Sequence, residues 1–148
     1  MRYWEDFAVG ETTELGTVDV TREEIVEFAQ RYDPQPFHVD DAAADDGPYG
    51  GLIASGWHTA ALFMGLFVRT ILLDSASMGS PGVEELRWTA PVRPGDRLTG
   101  RVTVTGTEPS SKRADRGTVF TTSEVVNQDG TVVMTMKARG FFRRREDT

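Results

Sequence analysis

The stretch SGWHTAALFMGLFVRTILL, Ser55 to Leu73, decides the fold class. Large apolar side chains such as Trp57, Leu62, Phe63, Leu66, Phe67 and Ile71 point to nearly every side of a helix drawn through it. A helix that is apolar all round belongs at the centre of a structure, enclosed by other elements. The longest apolar run in the chain, Ala60 to Val68, has nine residues. That is short of the ~20 needed to cross a bilayer, so protein and not lipid is the expected surrounding. The small residues Gly56, Ala60, Ala61 and Gly65 would let neighbouring backbone come close, as a wrapped sheet requires.

The enclosing sheet follows in sequence. Val83 to Thr89, Arg97 to Thr107, Gly117 to Asn127 and Thr131 to Phe142 all read as strands. The second alternates cleanly, with Leu98, Val102 and Val104 on one face and Thr99, Arg101, Thr103 and Thr105 on the other. Pro94-Gly95-Asp96 suits a turn with positive φ at Gly95. Asp129-Gly130 is a hairpin signal between the last two strands.

Upstream, Thr13 to Val20 reads as a further strand, and Thr21-Arg22-Glu23-Glu24 as a capping box that starts a helix. Ile25, Phe28, Ala29 and Tyr32 form one apolar stripe, and Pro34 stops the helix near Tyr32. Asp33-Pro34-Gln35-Pro36-Phe37-His38 is then expected to be stiff and extended. The predicted class is α+β, an antiparallel β-sheet wrapped around a central buried α-helix, as a single domain over residues 1–148. The opening segment to Gly10 reads as a short leader and Arg143 to Thr148 as a frayed tail.

Of the 148 residues, 39% are hydrophobic and 26% charged, the balance of a soluble globular domain. With no cysteine, disulfides, thiolate zinc sites, iron-sulfur clusters and cysteine nucleophiles are excluded. Any catalysis must use oxygen and imidazole. A net charge of -7 argues against nucleic acid as a partner, although residues 81–148 carry 12 basic against 9 acidic side chains. MRYWEDFAVGE lacks a basic stretch followed by an apolar core, so a cytoplasmic location is expected, with no membrane partner.

Asp33 and His38 are the first candidates for chemistry. A carboxylate and an imidazole fixed close together can hold one water between them, one withdrawing its proton while the other handles a proton on the substrate. That is hydration or dehydration chemistry. The plainer alternative makes Asp33 a helix-end turn residue and His38 a loop side chain with backbone partners, and residue types alone leave that reading open. His38-Val39-Asp40 could also be read as a metal pair, but no third ligand lies nearby in sequence.

Gly50-Gly51-Leu52-Ile53-Ala54-Ser55-Gly56 leads directly into the apolar helix, whose first-turn amides point out of the core at the positive end of the dipole. A thioester carbonyl resting there would have its enolate charge held by backbone N–H, best by that of Gly56. A glycine-rich turn needed only for its shape is the alternative.

Taken together, Asp33-Pro34-Gln35-Pro36-Phe37-His38-Val39-Asp40, the run from Tyr49 to Gly56, and Leu86-Arg87-Trp88-Thr89-Ala90-Pro91-Val92-Arg93-Pro94-Gly95-Asp96 resemble the MaoC-like hydratases of the hotdog superfamily. The likeness spans nearly the whole chain. It implies an antiparallel sheet around a central helix, and homodimers or higher homo-oligomers with an acyl-CoA thioester in a tunnel near the subunit interface. It also implies reversible syn addition of water to a trans-2-enoyl-CoA, giving the (R)-3-hydroxyacyl-CoA, with no metal and no organic cofactor.

By that resemblance Asp33 and His38 match the catalytic pair, and Gly56 the glycine whose amide polarises the thioester carbonyl. Ser55, Trp57 and His58 are the candidate substrate-binding residues. Two positions depart from the family pattern: Gln35-Pro36 stands where asparagine-proline is usual, and Ser55 where a histidine is common. Arg87, Arg93, Lys112, Arg113 and Arg116 are candidates for the CoA phosphates or, equally, solvated charges. The competing functions are thioester hydrolysis and a non-catalytic acyl-CoA-binding subunit.

Overall fold

In the computed structural model, which describes residues 1–146, five antiparallel strands form one sheet. They are β1 (Thr12–Asp19), β2 (Val83–Trp88), β3 (Arg97–Pro109), β4 (Arg116–Val126) and β5 (Val132–Arg143), ordered β1-β3-β4-β5-β2. Between β1 and β2 run α1 (Arg22–Tyr32), the short α2 (Pro36–Val39) and α3 (Asp41–Asp45), and the long α4 (Gly56–Thr70).

The expected alternation in β3 is present. Leu98, Val102 and Val104 are buried while Arg101 and Thr105 face out. Gly95 (φ 87°) and Gly130 (φ 76°) occupy the left-handed region that their turns require. Irregularities in register between Glu14 and Gly16 of β1, and between Val104 and Gly106 of β3, bend those strands and curl the sheet. The concave face receives Phe63 and Leu66 of α4, which join Leu98, Val102, Val125, Val133 and Met134 in the core.

Helix α4 is not enclosed all round. His58, Thr59, Phe63 and Leu66 are buried, but Trp57 is 59% and Met64 45% exposed. One curved sheet covers one face of a helix and leaves the opposite side open. Gly56–Asp74 is long and apolar enough to cross a membrane by length and composition, with mean hydropathy 1.3; here Phe63 and Leu66 pack it on the sheet. Gly65 and Ala61 are not where the backbones approach, since the atoms nearest a Cβ at Gly65 belong to the Arg69 guanidinium and Ala61 is exposed. Close approach comes instead from Gly100 of β3, where a Cβ would lie 3.3 Å from Leu15 Cδ1 and 3.6 Å from Leu66 Cδ1.

Helix α1 starts as expected, the Thr21 hydroxyl accepting from the Glu24 amide at 3.2 Å, though only this half of the capping box forms. Ile25 and Ala29 are fully buried, but Tyr32 is 62% exposed. In the last turn of α1 it is covered only in part, its ring packing on Phe28 at 5.0 Å with the Arg31 guanidinium 5.3 Å from its centroid.

The N-terminal segment and the described part of the C-terminal tail are tied down. The Arg2 amide donates to the Asp74 carbonyl at 2.8 Å, and the Trp4 indole N–H to the Thr118 carbonyl at 3.1 Å. Phe7 belongs to the core, so the opening segment is part of the fold. The tail expected to fray is held as far as it is described: the Arg144 amide donates to the Asp115 carbonyl at 2.8 Å, and Arg145 pairs with Asp6 at 2.7 Å. Residues 147 and 148 of that stretch lie outside the described residues.

Candidate active site

Asp33 ends α1. Its amide still donates to the Ala29 carbonyl at 2.8 Å, but φ -155° and ψ 67° take it out of the helix, as the following Pro34 demands. The segment beyond is not extended. Pro36 sits at the first position of α2, where a missing N–H costs nothing and the fixed φ suits a helix. Asp40 then caps α3, its carboxylate accepting from the Ala43 amide at 3.1 Å. The single turn of α2 swings His38 inward until only 4% of it is exposed.

The imidazole is oriented by the backbone. His38 Nδ1 lies 2.7 Å from the Ile53 carbonyl oxygen, which can only accept, so Nδ1 carries the hydrogen and Nε2 is the basic nitrogen of the neutral ring. Nε2 stands 3.3 Å from Asp33 Oδ2. The same Oδ2 accepts from the Ser55 hydroxyl at 2.8 Å, and Oδ1 from the Gln35 amide at 2.8 Å. Burial pushes the Asp33 carboxyl up, but the hydrogen bonds from Gln35 and Ser55, with the attraction of His38 when that ring is protonated, outweigh it and hold the group below its ordinary value. Asp33 is therefore a carboxylate at neutral pH.

Ser55 is the N-cap of α4: its hydroxyl accepts from the Trp57 amide at 3.3 Å, and its carbonyl takes the amides of His58 and Thr59. The Gly56 amide has no acceptor among the described residues, and Gly56 lines a cavity of about 540 Å³. Asp33, Gln35, His38, Thr59 and Trp88 share its wall. Glycine at position 56 has a cause in the fold itself, because a Cβ there would lie 2.4 Å from the Trp88 ring. Trp57 meets that ring edge-on, with centroids 5.0 Å apart. A second cavity of about 500 Å³, walled by apolar side chains including Phe63, Phe67, Leu86 and Met136, runs between α4 and the sheet. Trp57 lines both cavities.

Asp33, His38, Gly56 and Trp57 thus come together. Ser55 is fully buried and touches Asp33, so its contact is with the carboxylate and not with the cavity. His58 does not line the cavity. Its ring stacks on Phe28 of α1 (4.9 Å, 12°), its Nδ1 is enclosed without a partner, and burial holds its pKa below the usual value. As third residue of α4 it points to the α1 side while Gly56 and Thr59 point to the cavity.

Among the basic candidates only Arg93 borders this region, donating to the Tyr49 carbonyl at 2.6 Å. Arg87 pairs with Glu85 and Arg116 with Asp115. Lys112 and Arg113 lie in the β3–β4 hairpin, at the opposite end of the sheet from the cavity-lining Val133. Gln35, Thr59 and Trp88 enter the site although residue type alone did not mark them. The available signals were the place of Gln35 two residues after Asp33 and the spacing of Thr59 three residues after Gly56. Among the described residues no group of three or more His, Cys, Asp or Glu side chains is placed to hold a metal ion.

Residues 6–128 match the MaoC like domain family. The chain is 39% identical to the MaoC-like dehydratase from Rhodospirillum rubrum, a solved structure that superposes with TM-score 0.88 over 99% of this chain and 100% of that one. It is 30% identical, over 95% of each chain, to an (R)-specific enoyl-CoA hydratase of the same organism. It is 34% identical, over 73% of each, to 3-hydroxyacyl-thioester dehydratase Z of Mycobacterium tuberculosis.

Proposed function

The chain belongs to the MaoC-like family, and from that premise we propose that it adds water reversibly to a trans-2-enoyl-CoA to give the (R)-3-hydroxyacyl-CoA. The observation that carries this reading is the 3.3 Å approach of His38 Nε2 to Asp33 Oδ2 in a cavity that Gly56, the first residue of α4, also lines. A water resting against the pair on its cavity side lies within reach of both acceptors. Nε2 takes one of its protons, and the ionised Asp33 orients the other hydrogen and balances the imidazolium charge.

The water oxygen bonds to C3 of the enoyl group as the C2–C3 π electrons move toward the thioester carbonyl. The resulting enolate oxygen rests on the Gly56 N–H at the positive end of α4. His38 then returns its proton to C2. Acid and base stand together on one side of the substrate, so hydroxyl and hydrogen arrive on the same face, a syn addition. The reverse sequence is dehydration.

The test follows the loss of enoyl-thioester absorbance with crotonyl-CoA and longer enoyl-CoAs. Asp33→Asn and His38→Ala should each lower the rate by roughly 10² to 10⁴-fold. A folded double variant with full activity would overturn the assignment. Release of free CoA thiol that ignores Asp33 would mark a thioesterase, and tight acyl-CoA binding without turnover a binding subunit.

A further inference from the structure

We propose that the Thr59 hydroxyl is a second donor to the thioester oxygen, beside the Gly56 amide; this rests on the hydration reading above. Thr59 lies three residues after Gly56 on α4, which places both on one helix face, and both line the cavity of Asp33 and His38. It is only 2% exposed.

Its hydroxyl makes no hydrogen bond among the described residues, unlike the hydroxyls near the other end of the same helix. Thr70 donates to the Leu15 carbonyl at 3.0 Å and Ser75 to the Ile71 carbonyl at 2.6 Å. The usual helical outlet, the carbonyl four residues back, is taken: Ser55 O already accepts the amides of His58 at 3.0 Å and Thr59 at 3.1 Å. Nor is the hydroxyl sealed in, for the fully enclosed unpaired side-chain atom is His58 Nδ1. The opening left to it is the cavity that Thr59 borders.

Burying a hydroxyl without a partner is unfavourable, and a valine would fill the same space without that penalty. The geometry therefore assigns the Thr59 hydroxyl to the ligand. Water addition at C3 turns the thioester carbonyl into an enolate, and a donor aimed at that oxygen strengthens its bond as charge develops. Thr59 keeps its proton throughout, so it donates a hydrogen bond and transfers nothing.

The experiment compares Thr59→Val and Thr59→Ser with the parent protein by steady-state kinetics on an enoyl-CoA and by thermal unfolding. Thr59→Val should lose roughly 100-fold in kcat, with KM within about threefold and Tm unchanged or higher. Thr59→Ser, which retains the hydroxyl, should stay within about fivefold of the parent. A folded Thr59→Val protein with unchanged kcat overturns the proposal. So does a Thr59→Ser protein that falls as far as Thr59→Val, since packing and not the hydroxyl would then be at issue. If the parent itself hydrates no enoyl-CoA, the hydration reading fails first and takes this inference with it.

Discussion

The Ser55 hydroxyl donates to Asp33 Oδ2 at 2.8 Å and accepts from the Trp57 amide at 3.3 Å, so one side chain fastens the end of α1 to the first turn of α4. The carboxylate and the helix amides are thereby held in fixed relation, and Ser55 is completely buried.

Ser55→Ala should therefore act twice. Loss of the cap costs about 1 kcal/mol, read as a lower Tm. Loss of the bond to Asp33 removes one of the contacts that hold its carboxyl low, so the acid limb of the kcat/KM profile should move to higher pH. Gln35→Leu should shift the limb the same way without the capping loss. An acid limb unmoved in both variants would mean that Asp33 is not the group that titrates there.

Gly56→Ala should be destabilising by roughly 1–3 kcal/mol, because the added methyl runs into the Trp88 ring. Trp88→Ala removes the obstacle, and the double variant should be more stable than the sum of the single losses allows. Strict additivity in thermal or urea unfolding would contradict the packing described.

His58 gives the fold its own pH dependence. Burial lowers its folded pKa from 6.5, so the unfolded chain takes up a proton first as pH falls. Above about 6.5 the ring is neutral in both states and nothing is lost; below it, stability declines progressively toward the lowered folded value. Of charged groups, Glu24 acts on the ring and partly opposes the shift. His58→Phe should flatten Tm between pH 7 and 5, after allowance for the carboxylates. An equal slope in both proteins would remove His58 from the account.

Trp57 lines both the reacting cavity and the apolar one between α4 and the sheet. Trp57→Ala should join them and favour longer acyl chains, each further buried methylene adding roughly fourfold in kcat/KM. The ratio of medium-chain enoyl-CoA to crotonyl-CoA turnover measures it, and an unchanged ratio would place the acyl chain elsewhere.

Strand boundaries, turns and the start of α1 were legible because alternation, Gly95, Gly130 and Thr21 act locally. The pairing of Asp33 with His38 was implied by the family resemblance, while the residues alone suggested an extended segment where a helical turn stands. What could not be read depends on contacts between distant stretches. The exposure of Tyr32 and Trp57 reflects where the sheet ends, and the inward turn of His38 needs the Ile53 carbonyl, 15 residues away. The partners of Ser55 and His58 lie on α1, far from both in sequence.

Trp88 reaches the cavity from β2, an edge strand hydrogen-bonded only to β5, while Asp33, His38 and Gly56 come from helices and their caps. On the hydration reading, the residues that handle protons and the ring that narrows the cavity come from different elements, which meet where Trp88 packs on Gly56. If that reading holds, changes in the rim strand would re-tailor which acyl group is admitted while Asp33 and His38 keep their places, which leaves room for one scaffold to diverge in diet while its reaction stays the same.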